Sequence, residues 1–232
     1  MLVIGGSSGI GLELVKILVH QGYTVYAGSR TSDAFAGLPD VRHFAVDVRD
    51  EFLALKDLPP ELHGLAYCPG TIRLRPFQRL SNDEFLEDFR INHLGAVKVV
   101  QACLPHLKKP SSGASVVLFS TVAVKTGMPL HASVASAKGA VEGLTLALAA
   151  EFAPCIRFNA IAASLTDTPL AENLLSSEDK RRAAAERHPL KRIGSVRDIA
   201  HLAAHLLSDN GSWITGQILH ADGGLGSLRI FK

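Results

Sequence analysis

The chain has 232 residues, 47% of them hydrophobic, and its 24 Lys and Arg nearly balance its 22 Asp and Glu. Charges are scattered without basic runs, and no apolar stretch reaches the roughly eighteen residues that span a bilayer, so we expect no nucleic-acid or membrane partner. Length and hydrophobic content indicate one domain over residues 1–232. With no spanning stretch and no charged region before the first apolar residues, we expect a cytoplasmic protein. Cys68, Cys103 and Cys155 lack metal-ligand spacing, which predicts buried reduced thiols and no metal site.

The chain opens with an apolar strand, Leu2–Ile4, that runs into a glycine-rich turn and then an amphipathic helix ending near Gly22. Glycines allow backbone N–H groups to approach a pyrophosphate, whose charge the helix N-terminus stabilises. The spacing Gly-x-x-x-Gly-x-Gly differs from the commoner Gly-x-Gly-x-x-Gly, so a tight strand-to-helix turn without a ligand is the alternative. If a dinucleotide binds here, its contacts are predicted at Gly5, Ser7, Ser8, Gly9, Ile10 and Gly11.

A second predicted strand, residues 24–27, leads to Ser29 and Arg30, about twenty residues beyond the glycines, where the residue that reads the adenosine ribose is expected. An acid at this point accepts the 2′-hydroxyl of NAD, whereas a guanidinium suits a 2′-phosphate. The sequence therefore favours NADP(H), with NAD(H) possible. The alternative is that Arg30 is a solvated loop arginine paired with Asp33.

Strand-like runs alternate with helical patterns along the whole chain, which predicts an α/β fold: a single-domain, doubly wound Rossmann fold with about seven parallel strands and helices on both faces. Long helical stretches are predicted at 82–107 and 134–152. A polar stretch at 172–187 predicts a mobile helical flap within residues 168–190. The remaining strands are predicted at 43–46, 65–68, 115–119, 157–161 and 217–219.

In such a sheet, ligands lie beyond the carboxyl ends of the strands. The residues that follow the strands are therefore candidates for the binding site. Among them, Asp47 either accepts a hydrogen bond from an adenine amino group or serves as a helix cap or exposed loop acid. The other candidates at these strand ends are Val48, Pro69, Gly70, Ser120, Thr121 and residues 163–168.

Taken together, these segments resemble the short-chain dehydrogenase/reductase family in its classical short form, over nearly the whole chain. The glycine motif is Ile4-Gly5-Gly6-Ser7-Ser8-Gly9-Ile10-Gly11, and Asp47-Val48 matches the family's adenine-contacting pair. The remaining matches are Asn92-His93-Leu94-Gly95, Ser136-Ala137-Lys138-Gly139 and segments 156–161, 189–194, 214–216 and 222–224.

The resemblance implies roles for individual residues. Asn92 organises the active site, Lys138 holds the nicotinamide ribose, and Thr121, with Ser120 adjacent, takes the place of the family's serine. Leu165 and Thr168 fit the contacts to the nicotinamide carboxamide, with capping of the helix before Pro169 as the alternative for Thr166 and Thr168. It also implies a small carbonyl or alcohol substrate, and a homodimer or homotetramer built through the long helices and the last strand.

Two departures from the family pattern bear on function. Tyr67-Cys68-Pro69-Gly70 replaces Asn-Asn-Ala-Gly, so the support of the central sheet must be repacked. Val134 occupies the tyrosine position of Tyr-x-x-x-Lys, and the usual general acid is therefore missing. His131 is a candidate substitute, or a solvent-facing or substrate-contacting residue.

Two functions follow from this pattern. The first is an NADP(H)-dependent oxidoreductase with an atypical proton donor. The second is a non-catalytic NADP-binding sensor or inactive partner subunit with the same fold. The intact loops, Asn92 and Lys138 favour the enzyme, and Val134 favours the alternative.

Overall fold

A computed structural model describes residues 1–51, 53, 55 and 57–230. Its strands are β1 (Leu2–Ile4), β2 (Val25–Ser29), β3 (Val41–Ala45), β4 (Gly64–Tyr67), β5 (Ala114–Thr121), β6 (Ile156–Ala163) and β7 (Gln217–Ala221). All neighbouring strands pair in parallel, in the order β3-β2-β1-β4-β5-β6-β7. The predicted doubly wound sheet is confirmed, and its direction of winding reverses between β1 and β4.

Helices cover both faces of this sheet, as predicted. They are α1 (Gly9–His20), α2 (Asn82–Phe89), α3 (Gly95–Leu107), α4 (Val122–Thr126), α5 (Ala132–Phe152), α6 (Glu178–Arg187) and α7 (Val196–Leu207). One core contains apolar residues of α1 and α7, and the other contains residues of α3 and α5. The central strands are buried on both sides because each face has its own helical layer.

Helix α1 begins and ends where its sequence pattern predicts. Leu14 and Leu18 are fully buried, one turn apart on the face toward the sheet. Gly22 has φ +85° and donates its N–H to the carbonyl of Val19. This left-handed residue ends the helix without the steric cost that a Cβ would bring.

The helical stretch predicted at 82–107 is interrupted. A wide π-helical turn, Arg90–Leu94, separates α2 from α3. At this turn the side-chain Nδ2 of Asn92 donates to the carbonyl of Asp88, four residues earlier, at 2.7 Å. Such turns often occur at functional sites because they redirect one side chain without ending the helix.

The segment 168–190 is largely helical, with a 3₁₀ helix at Pro169–Leu175 followed by α6. Ala171, Leu175 and Ala184 form a small core of their own beside the main sheet. The helical part of the flap prediction therefore agrees with the structure, and its mobility stays a prediction. Among the described residues, no helix combines the length and hydropathy that crossing a membrane requires.

The prediction for the cysteines was partly wrong. All three thiols are free, but only Cys103 is fully buried as a residue, while Cys68 is partly buried and Cys155 is exposed. Cys155 lies in the turn that leads into β6, where a small polar side chain faces solvent.

Candidate active site

The glycine turn after β1 forms a cradle that side chains would fill. Gly5 and Gly9 have φ +79° and +51°, and a Cβ at Gly11 would lie 2.2 Å from the carbonyl oxygen of Gly5. Ser8, the N-cap of α1, makes no capping bond with its side chain, and the first turn holds no acid. The first N–H groups of α1 thus lack a side-chain acceptor, which suits a bound anion such as a pyrophosphate.

A cavity of about 390 Å³ continues from this cradle past the ends of β2 and β3. Arg30 lies at its edge, and within the described residues it forms no ion pair with Asp33. The surface pairing considered for Arg30 is therefore not observed. Its guanidinium is available to a ligand, as a 2′-phosphate contact requires. The cavity brings together Gly5, Ser7, Ser8, Ser29, Arg30, Asp47, Val48, Pro69 and Gly70.

Asp47 has a partner that the sequence analysis missed. Its carboxylate accepts hydrogen bonds from the guanidinium of Arg49, the closest at 2.5 Å, and from the Arg49 backbone N–H at 3.0 Å. These hydrogen bonds lower the pKa of Asp47 to about 2. A basic residue two positions after the acid was the available signal, and Arg49 also lines the cavity.

A second, mostly apolar cavity of about 490 Å³ lies at the carboxyl ends of β4, β5 and β6. We call it the substrate cavity. Residues from distant parts of the sequence share its wall, including most of those expected near the reacting atoms. From the sequence-based candidates it brings together Ile10, Gly70, Ser120, Thr121, His131, Val134, Lys138, Leu165 and Thr168.

Lys138 lies at the base of this cavity. Its Nζ donates to the carbonyl of Phe119 at 2.8 Å, and burial lowers the pKa of the ammonium to about 8. A Cβ at Gly70 would lie 3.2 Å from Asn92 Oδ1 and 3.4 Å from Lys138 Nζ. The absence of a side chain at Gly70 therefore leaves room for both polar groups at one strand end.

Asn92 does not line the cavity itself but lies behind it. Its Nδ2 donates to Thr71 Oγ1 at 2.7 Å, and its Oδ1 accepts from the Thr71 N–H at 3.3 Å. Thr71 belongs to the cavity wall. Asn92 thus fixes the loop after β4, and Thr71 is a site residue that the sequence analysis missed.

The two hydroxyls at the end of β5 are not equivalent. Ser120 Oγ donates to Glu142 Oε1 at 2.5 Å, which commits its proton to a carboxylate. Thr121 Oγ1 accepts from the N–H of Ala123 at 3.3 Å, and its own proton is left for a ligand oxygen. Of the two, Thr121 is the better donor to a carbonyl.

Val134 lies on α5 one turn before Lys138, is 6% exposed, and lines the substrate cavity. It carries no exchangeable proton. Tyr67 does not replace it, because its hydroxyl donates to the carbonyl of Ile91 at 2.6 Å and burial raises its pKa. A Cβ at Gly95 would lie 2.1 Å from that hydroxyl, so Gly95 accommodates the repacked strand end.

His131 is partly buried in the cavity wall, and its Nδ1 lies 2.7 Å from the carbonyl of Pro129. A carbonyl only accepts, so Nδ1 carries the proton and Nε2 is the nitrogen left for a ligand. His131 can donate from Nε2 only when the ring is protonated.

The threonine side chains of the loop after β6 bond to carbonyls of the loop itself and do not cap a helix. Thr166 Oγ1 donates to the carbonyl of Ser164 and Thr168 Oγ1 to that of Thr166. Thr168 is the N-cap of Pro169–Leu175 by position but makes no capping bond with its side chain. The capping alternative is therefore not observed for either side chain, and the loop is held by its own carbonyls.

The same loop holds a contact that the sequence gave no means to find. Ser164 Oγ lies 2.8 Å from Nε2 of His188, which is buried. The two residues are 24 positions apart, and no helical or strand spacing relates them.

Comparison with known proteins gives a consistent result. Residues 5–226 match a family model described as enoyl-(acyl carrier protein) reductase. A 3-oxoacyl-[acyl-carrier-protein] reductase of Thermotoga maritima is 30% identical over 97% of this chain and 96% of its own length. An L-xylulose reductase of Bos taurus is 31% identical, covering 96% and 94%. The solved structure of ElxO with NADP bound has a TM-score of 0.88 and 26% identity, covering 98% of each chain.

Proposed function

The chain belongs to the short-chain dehydrogenase/reductase family of oxidoreductases, and from this premise we propose that it transfers hydride between NADP(H) and a small carbonyl or alcohol. One observation carries the proposal. Thr121, Lys138 and the loop fixed by Asn92 surround a single apolar cavity. A protein that only bound the cofactor would not need this polar arrangement beyond the adenosine cleft.

The chain's residues fit the cofactor along its whole length. The glycine cradle and the N-terminus of α1 hold the pyrophosphate, and Arg30 holds the 2′-phosphate. Asp47 and Val48 border the adenine, and Pro69 and Gly70 contact the cofactor between its two ends, since Gly70 lines both cavities. Lys138, Asn92, Leu165 and Thr168 serve the nicotinamide end. NADP bound in the similar structure ElxO supports a nicotinamide cofactor, and the preference for NADP over NAD rests on Arg30.

Each polar group at the cavity has a defined task. The cofactor, when bound, supplies or accepts hydride. Thr121 donates a hydrogen bond to the substrate oxygen and so stabilises the negative charge that develops there. The ammonium of Lys138 lies in a low-dielectric wall, where its charge acts more strongly than in water. The apolar lining excludes bulk water from the reacting atoms.

A screen of small carbonyl compounds with NADPH tests this function. We expect turnover that Lys138→Ala and Asn92→Ala reduce by at least tenfold, because one removes the cation and the other the support of the Thr71 loop. Lys125→Ala, an exposed change on α4, serves as the control. Tight NADPH binding without turnover across the screen would instead favour the sensor or inactive partner.

We also propose that the protein is a homodimer or homotetramer in the cytoplasm, which stays a prediction from the sequence. Exposed leucines on the helical face support an interface: Leu86 of α2 is 65% exposed and Leu146 of α5 is 52% exposed. Burying them against a second copy would remove apolar surface from water. Light scattering would give the mass of the assembly in solution, and Leu146→Asp should lower that mass.

A further inference from the structure

Ser164 lies beside the proposed hydrogen-bond donor of the reaction. It directly follows Ala163, the last residue of β6, and Ala163 pairs in register with Thr121 at the end of β5. Ser164 and His188 both line the substrate cavity, together with Val134 and Lys138. A hydroxyl and an imidazole are thus part of the wall of the cavity in which the usual phenol is missing.

The hydrogen bonds of His188 fix where its proton lies. Nδ1 is 2.8 Å from the carbonyl of Ala184, and a carbonyl only accepts, so Nδ1 carries a proton. In the neutral ring Nε2 is then the acceptor, and the Ser164 hydroxyl donates to it across 2.8 Å. The result is an oriented chain from Ser164 through the ring to the backbone of α6.

His188 is rigidly held and only 3% exposed. Gly223, with φ +61°, packs against the ring, and a Cβ there would lie 3.4 Å from its Cδ2. Burial and two hydrogen bonds restrict the ring to one orientation, which a relay requires.

The pair also borders a second cavity of about 290 Å³, so it lies between the substrate cavity and another space that water can enter. In the proposed relay, water in this second cavity is the proton source for the ring. Among the described residues, the other charged and titratable groups that line the two cavities are His131, Lys138 and Arg187 in the substrate cavity, and Arg192, Asp198, His220 and Asp222 in the second cavity.

We propose that Ser164 is the catalytic proton donor that replaces the missing phenol, with His188 as the positioning residue that restores its proton. The proposal rests on the oxidoreductase function. In reduction, a bound NADPH would supply the hydride that the carbonyl carbon takes up and would leave as NADP⁺, and the carbonyl oxygen takes the proton of the Ser164 hydroxyl. This step uses the protonated ring: Nε2–H then donates to Ser164 Oγ, so that the hydroxyl proton is free to point to the substrate. As the hydroxyl proton leaves, Nε2 passes its own proton to Oγ, and the neutral ring regains a proton from water. Alcohol oxidation runs through the same steps in reverse.

The competing explanation is that this histidine only joins α6 to β6. Both explanations predict that removing it affects stability, so stability does not separate them. A phenol introduced by Val134→Tyr separates the two explanations. If Ser164 and His188 supply the proton, the phenol takes over that task and their removal costs little activity. If their bond is only structural, its removal costs as much activity with the phenol as without it.

The experiment measures kcat and kcat/KM against pH for wild type, Ser164→Ala and His188→Gln, each alone and with Val134→Tyr. We expect Ser164→Ala and His188→Gln to lower kcat about 100-fold, the lower end of a general acid's usual contribution, while the Kd for NADPH changes less than threefold. In the Val134→Tyr background the loss should shrink below tenfold. Ser212→Ala and His201→Gln, exposed residues of the same types, are the matched controls.

A measurement on the cofactor-free protein tests the relay without turnover. Nitrogen-15 NMR of the histidine rings should show His188 with its proton on Nδ1, and Ser164→Ala should shift the Nε2 resonance. A proton on Nε2 of the neutral ring overturns the relay.

The kinetic outcomes are also distinct. Wild-type activity that survives unchanged in Ser164→Ala overturns the relay alone, and so does a pH dependence lost in His131→Ala but kept in the variants of the pair. Absence of turnover in wild type overturns the proposed function, and the relay with it.

Discussion

Val134 is the residue on which the proposed function depends most. It is buried in the cavity wall one helical turn before Lys138, where a phenol would meet the ammonium. An aliphatic side chain there removes a proton donor but leaves the neighbouring hydroxyl of Thr121 and the cation in place. On the proposed function the proton must therefore come from another group, while Thr121 and Lys138 keep their places in the cavity wall.

Val134→Tyr is expected to raise kcat by at least tenfold. The Lys138 charge would lower the pKa of the new phenol and so allow proton transfer near neutral pH. Steady-state kinetics with a substrate from the screen checks this, with Val134→Phe as the matched ring without a hydroxyl. Equal rates for the two variants would show that the phenol is not placed for transfer.

Arg30→Ala is expected to weaken NADPH binding by roughly 10- to 100-fold, the loss of about 1.5–3 kcal/mol from charge-assisted hydrogen bonds. NADH lacks the 2′-phosphate, so its Kd should change by less than threefold. Fluorescence titration of both cofactors measures the ratio, and Lys16→Ala on the exposed side of α1 is the control. A parallel loss for both cofactors would contradict the role of Arg30 in selectivity.

At the scale of elements, a buried carboxylate joins α2 to α5. Asp88 is fully buried and accepts a hydrogen bond from Ser133 Oγ at 2.5 Å, while Arg73 Nε lies 3.5 Å from its other oxygen. Arg73 also binds Glu84 at 3.0 Å. Ser133 precedes Val134, and the Asp88 carbonyl accepts a hydrogen bond from Asn92, so this contact joins two elements that carry residues of the candidate site.

Arg73→Ala is expected to lower the free energy of unfolding by about 1–3 kcal/mol, because it leaves the Asp88 carboxylate without its cation. The value is below that of a fully buried pair since Arg73 is 29% exposed. Urea unfolding followed by circular dichroism measures it. Arg75→Ala is the control, because Arg75 is 57% exposed and contacts Glu84 but not Asp88. Similar losses in both variants would argue against a special role for Asp88.

At the scale of the whole molecule, the buried ammonium of Lys138 makes stability depend on pH. Burial lowers its pKa to about 8, below its value of about 10.4 in an unfolded chain. Between these values the unfolded state binds more protons, so the contribution of Lys138 to stability rises with pH. Below about pH 8 the charged group carries its full desolvation cost.

Lys138→Met is therefore expected to stabilise the protein relative to wild type most strongly below about pH 8. The advantage should shrink by on the order of 3 kcal/mol as pH rises to about 10.5. Urea unfolding at a series of pH values measures the free energy of unfolding of the variant and of wild type. Subtracting one from the other cancels the titration of the groups that the two proteins share. Lys125→Met, at an exposed site, should show no such trend, and a constant difference for Lys138→Met would contradict the prediction.

The sequence by itself determined the features that depend on neighbours along the chain. The glycine cradle, α1 with its end at Gly22, and the alternation of strands and helices are local patterns, set by φ values, hydrophobic period and helix caps. Their order was enough to predict a parallel, doubly wound sheet and the positions of the strand ends. That Val134 occupies the family's tyrosine position, four residues before Lys138, was inferred from the resemblance and stays a prediction.

Tertiary structure alone decided which side chains meet across those strand ends. Ser164 meets His188 across 24 residues and Ser133 meets Asp88 across 45, and no local periodicity encodes such pairs. The wide turn that redirects Asn92 likewise depends on packing against the loop at Thr71. Sequence patterns report local backbone preference and burial, whereas these contacts arise only when the sheet brings separate strand ends to one edge.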